Sequence, residues 1–99
     1  MKYDFNNLEK LAAQFFSAGA FEKAIRIYFF MADGDPSLDG GYLAKKIAAC
    51  YEKIGHLYAA KYWYGRAVQE NPKVRVDCAE AKARLEQLVS IDDLVNFSS

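Results

Sequence analysis

One stretch of this chain is written twice. Gly19-Ala20-Phe21-Glu22-Lys23-Ala24-Ile25-Arg26-Ile27-Tyr28 returns 36 residues later as Gly55-His56-Leu57-Tyr58-Ala59-Ala60-Lys61-Tyr62-Trp63-Tyr64. At that offset Leu11 matches Ile47, Ala12 matches Ala48, Phe15 matches Tyr51 and Gly19 matches Gly55. Phe21 matches Leu57, Ala24 matches Ala60, Tyr28 matches Tyr64 and Pro36 matches Pro72. A period of this length belongs to stacked helix pairs, each of which buries its apolar face only against its neighbours. The residue sizes follow that geometry. Alanines stand where two helices must come close, large rings fill the space beside them, glycines reverse the chain and prolines end the second helix.

Apolar spacing places five helices. The first starts near Asn6, with Asp4, Asn6 and Asn7 all competent to cap it. Its apolar positions are Leu8, Leu11, Ala12 and Phe15, and Gly19 stops it. The second covers about 21–33, with Phe21, Ala24, Ile25 and Tyr28 inward. A loop follows at 33–41, which holds three Gly, one Pro, three Asp and one Ser. The third helix covers about 42–54, with Ala44, Ile47, Ala48 and Tyr51 inward and Gly55 as its stop. The fourth covers about 57–70 and ends at Asn71-Pro72. The fifth covers about 74–89 with a weaker face of Cys78, Ala81, Leu85 and Leu88. Residues 90–97 read as a last short turn or an amphipathic tail.

The matched positions resemble the tetratricopeptide repeat family, whose unit is a helix–turn–helix of about 34 residues. The resemblance covers roughly 5–89. It implies an all-α single domain of antiparallel helix–turn–helix repeats stacked as a short right-handed superhelix. The repeats are 5–38 and 41–74, followed by a capping helix at 75–89 and a tail at 90–99. The pattern departs from the family at Leu8 and Ala44, where a Trp is usual, and at Met31, where an Ala is usual.

The resemblance also implies a function. Such domains are protein-interaction scaffolds whose first helices line a concave groove for a segment of a partner. Here the groove residues are Asn6, Glu9, Ala13, Phe16 and Ser17 in the first repeat. Tyr42, Lys45, Ala49, Glu52 and Lys53 follow in the second, and Val76, Ala79, Ala83 and Glu86 on the fifth helix. Alanines make the floor, Phe16 and Tyr42 offer stacking surfaces, and the lysines suit a partner with an acidic edge. The two-carboxylate clamp of chaperone-binding members is missing, because Glu9, Ala13 and Lys46 stand where it needs Lys and Asn.

A second surface comes from the other helices. Ile27, Phe30, Tyr58, Tyr62 and Trp63 fall at positions that face outward in the family. With Leu94 and Phe97 in the tail, they suggest self-association or a second partner, as in small chaperone-like members that shield an apolar helix. Clustered exposed rings mark interfaces.

Composition limits the other classes. Thirteen basic and thirteen acidic side chains cancel, so no overall charge draws the chain to nucleic acid or to an anionic membrane. The charge is uneven. Residues 1–40 carry four basic and six acidic side chains, residues 41–75 seven and two, and residues 76–99 two and five. A basic middle lies between acidic flanks, and the three parts either complement one another or offer a basic face to a partner. No apolar run reaches the roughly 20 residues of a membrane span, and 1–4 lack the character of a secretory signal. Cys50 and Cys78 read as small buried apolar residues in a reducing compartment, with a disulfide left open. Cytoplasmic location is the expectation. His56 stands alone in a turn. No Cys/His spacing suits a metal, no Gly-rich run leads into Lys-Ser or Lys-Thr, and no nucleophile has a base near it in sequence. The expectation is a non-enzymatic chain without a cofactor.

Overall fold

Of the three cap candidates at the first helix, Asp4 does the work. In the computed structural model of the chain, which describes residues 4–35 and 38–88, its carboxylate accepts hydrogen bonds from the backbone N–H of Asn6 at 3.0 Å and of Asn7 at 3.4 Å. Its own backbone is extended. That lets the short side chain fold back onto amides the first turn leaves without partners. The helices are α1 (Phe5–Ser17), α2 (Phe21–Asp33), α3 (Tyr42–Ile54), α4 (Leu57–Glu70) and α5 (Val76–Leu88). No strand occurs among the described residues. The fifth helix starts later than its apolar pattern suggests. Asn71 holds a turn there, with its carbonyl accepting from the Arg75 N–H at 2.9 Å and its side-chain oxygen from the Val74 N–H at 3.4 Å.

The two glycine reversals use the same bonds. After α1, Ala20 N–H donates to the Phe15 carbonyl at 2.8 Å and Gly19 N–H to the Phe16 carbonyl at 3.1 Å. After α3, His56 N–H donates to Tyr51 at 2.9 Å and Gly55 N–H to Glu52 at 3.2 Å. Gly19 and Gly55 sit at φ 83° and 98°, the left-handed conformation this closing pattern requires. A turn this tight forces antiparallel neighbours. Consecutive helices pack as α1 on α2, α2 on α3, α3 on α4 and α4 on α5. The chain is therefore all-α, with two helix–turn–helix pairs and a fifth helix added to the second.

Alanines let these helices approach. Ala12, Ala24, Ala44, Ala48, Ala60 and Ala67 are wholly buried, and Tyr28, Ile47 and Leu85 fill the volume between them. Two inward assignments need correction. Leu11 is 41% exposed although its match, Ile47, is fully buried. Leu88 is exposed, so α5 rests on Cys78 and Leu85 with Ala81 half-buried. On α3, Leu43 and Cys50 are buried in addition to the expected stripe. That helix lies between α2 and α4, so it buries more than one face.

The α2–α3 loop brings its backbone close to α4. Leu38, Asp39, Gly40 and Gly41 all have positive φ, from 54° to 87°. Leu38 turns into the core, and the Asp35 carboxylate accepts from the Asp39 N–H at 2.8 Å. A Cβ on Gly41 would lie 2.6 Å from the Ala67 carbonyl oxygen of α4. The loop's glycine therefore serves packing. Pro36, Ser37 and the tail from 89 onward lie outside the described residues.

Candidate functional site

The face of α1, α3 and α5 carries the expected groove residues. Helical spacing puts Asn6, Glu9, Ala13 and Ser17 on one side of α1 and Tyr42, Lys45, Ala49 and Glu52 on the matching side of α3. Side chains then link the three helices. The Tyr42 hydroxyl donates to Glu9 Oε1, joining α3 to α1. Lys45 Nζ lies 2.6 Å from Asp77 Oδ2, joining α3 to α5. Arg84 Nη2 lies 2.8 Å from Glu52 Oε2, joining them again two turns further on. The Tyr64 hydroxyl donates to Glu52 Oε1 at 3.0 Å. Glu52 thereby collects one residue each from α4 and α5.

These links set the electrostatics. The ammonium of Lys45, donating to Asp77, holds that carboxyl below its ordinary range. Burial, followed by the hydrogen bond to Glu9, raises the Tyr42 phenol well above its ordinary value. Burial and then Glu52 do the same for Tyr64. Both phenols stay neutral and donating at physiological pH.

Several groove expectations change as a result. Lys45 is not an open cation, because Asp77 holds it. Lys53 is exposed and has no ion pair among the described residues. Tyr42 is not a free stacking platform. Its hydroxyl is engaged, and the cations of Lys46 and Arg75 lie 5.4 Å and 5.9 Å from its ring centroid. Phe16 packs edge-on against Phe21 at 5.1 Å. Asn6, Glu9 and Tyr42 do meet, around a cleft of about 230 Å³ that Asp35 and Asp39 also line. Ala13 and Ala49 are half-buried, and Asn6, Ser17, Val76, Ala79, Ala83 and Glu86 are exposed.

The second surface divides. Phe30, Tyr58 and Tyr62 are exposed as expected. Ile27 and Trp63 are instead half-buried against the core. Trp63 meets Phe29 edge-on at 5.5 Å and Tyr62 at 5.3 Å. Tyr58 and Tyr62 border a recess of about 220 Å³ between α4 and α5, with Lys61, Arg66 and Lys82 around it. Arg66 and Lys82 each face a glutamate one turn on, Glu70 at 3.4 Å and Glu86 at 3.7 Å. Leu94 and Phe97 lie outside the described residues.

The sequence reading did not assign Asp77 and Arg84 to this face. A signal was there. Lys45 and Glu52 are seven apart, as are Asp77 and Arg84, with the signs reversed. Two parallel helices so marked can pair twice. Both cysteines are buried and free, and burial pushes each thiol up to about 11. His56 is exposed and stacks on Tyr51 with ring centroids 6.0 Å apart. Among the described residues no group of three His, Cys, Asp or Glu side chains is placed to hold a metal ion. No helix among them is long and apolar enough to cross a membrane. Comparison with family models, curated proteins and solved structures finds no match to this chain.

Proposed function

We propose that this chain is a non-enzymatic interaction module of the tetratricopeptide type, working in the cytoplasm. It holds an extended or helical segment of a partner protein across α1, α3 and α5. The observation that carries this reading is the state of that face. Its accessible alanines, Ala13, Ala49, Ala79 and Ala83, lie among polar side chains already paired with one another. Small residues leave room for a partner backbone, and a pre-paired rim needs little reordering when it arrives. An acidic edge on the partner would reach Lys53 first and compete with Asp77 for Lys45.

Peptide display against the purified chain tests this. Selected peptides should bind with Kd on the order of micromolar. They should lose binding to Ala13→Arg/Ala49→Arg while that variant keeps its helical circular dichroism. Peptides that bind both proteins equally, or no enrichment at all, would remove the groove. A second reading is a self-associating, chaperone-like chain, favoured by the exposed rings of Phe30, Tyr58 and Tyr62.

A further inference from the structure

The second repeat displays a covered flank. Ala44 and Ile47 are fully buried on α3, which packs against α2, and Trp63 of α4 meets Phe29 of α2. The offset of 36 carries these positions back to Leu8, Leu11 and Ile27. No described helix precedes them. Leu11 is left 41% exposed, and Phe30 on α2 is 46% exposed. Leu8, Arg26, Ile27 and Phe30 line an almost wholly apolar open recess of about 260 Å³. What the fold lays on these positions one repeat later is a helix of the α2 kind.

We propose that this flank is the contact face of a two-fold homodimer, with α2 of one copy antiparallel to α2 of the other. The charges on α2 favour a second copy as the occupant. Arg26, Phe30 and Asp33 lie at i, i+4 and i+7, hence on one face about 10 Å long. Arg26 and Asp33 are exposed, and neither has an ion pair among the described residues. A two-fold axis beside Phe30 brings Arg26 of each copy to Asp33 of the other, with the two rings between them. The far end of the stack favours a closed dimer over a filament. Among the described residues, the outer side of α5 exposes Glu80, Glu86 and Gln87 beside small Ala79 and Ala83, so head-to-tail addition would set charged and polar side chains against the apolar flank. Asn7 and Gln14, matching Leu43 and Cys50, give the flank a polar rim. Such a rim suits a dimer that exchanges with monomer.

This dimer deepens the self-associating reading and is independent of the groove, since its face excludes the alanines across α1, α3 and α5. Sedimentation velocity on the full chain across a concentration series tests it. We expect a monomer–dimer equilibrium with Kd of about 1–100 μM. Arg26→Asp and Asp33→Arg should each raise that Kd about tenfold or more by setting like charges opposite. The double swap restores opposite charges and should return to within about threefold of the unmodified chain. Phe30→Glu should leave a folded monomer, checked by circular dichroism and melting, and Tyr62→Lys should still dimerise. Three results would each overturn the proposal: a strict monomer at about 1 mM, a double swap no better than the singles, or a dimer that survives Phe30→Glu. A monomer that still binds groove peptides would sink the dimer alone.

Discussion

Gly19 and Gly41 show how little a residue type says without its surroundings. Both have φ near 85°, and in sequence both read as turn glycines. Gly19 faces open space, whereas a Cβ on Gly41 would meet the Ala67 carbonyl oxygen at 2.6 Å. Substitution at Gly19 therefore costs only left-handed strain, about 1–2 kcal/mol for an L residue. Substitution at Gly41 adds a clash between the new Cβ and the backbone of α4, which no side-chain rotation can relieve. Gly41→Ala should destabilise the fold by about 3 kcal/mol or more, and Gly19→Ala by about 1–2 kcal/mol. Urea titration of both variants measures the difference. Equal costs would mean that α3 and α4 can move apart at this point at no expense. The sequence could mark both glycines as punctuation. It could not mark Gly41 as a packing residue, because Ala67 is remote in the chain and adjacent only in the fold.

The helices differ in how much of them was legible. For α2, α3 and α4 the bounds follow from chemistry next to them in sequence, because Gly19, Gly55 and Asn71-Pro72 punctuate the pattern. Inward faces were harder, since they depend on how many neighbours a helix has. On α3 two more residues are buried than one stripe predicts, and on α1 Leu11 is exposed although its match on α3, Ile47, is fully buried. The groove was legible as a set of positions. Its charge state was not, because Asp77 and Arg84 reach it from a helix whose register only the fold sets. The α5 helix is lightly anchored, with Cys78 and Leu85 as its buried residues. Leu85 is wholly buried, so Leu85→Ala should cost about 2–5 kcal/mol. The loss should be local first. In hydrogen exchange, α5 amides should lose protection well before those around Ile47 in α3. A uniform loss along the chain would mean that α5 opens only with the whole molecule.

Across the whole molecule, the uneven charge of the chain is partly spent on holding it together. Lys45–Asp77 joins a cation of the basic middle to an anion of the acidic C-terminal part, and Arg84–Glu52 joins the same two parts with the signs reversed. These pairs are partly exposed, so each contributes no more than about 1 kcal/mol. The larger dependence on pH comes from neutral groups. Burial, then the charge of Glu9, pushes the Tyr28 phenol from 10.0 up to about 12. Tyr42 and Tyr64 shift the same way, and the two thiols rise from 9.0 to about 11. In every case the fold favours the protonated form and the unfolded chain releases its proton first. Their stabilising contribution is therefore complete below about pH 8, before the unfolded thiols at 9.0 and phenols at 10.0 start to ionise, and is lost as pH climbs from those values through the folded ones. Tyr28 alone accounts for about 2–3 kcal/mol lost by pH 12. Unfolding free energy should then hold steady from pH 7 to 8 and decline steeply between pH 10 and 12. Tyr28→Phe, which has no phenol to ionise, should lower stability at pH 7 slightly and flatten that decline. Urea titrations at half-unit steps would decide it. An equally steep decline in the variant would move the alkaline limb to Tyr42, Tyr64 and the thiols.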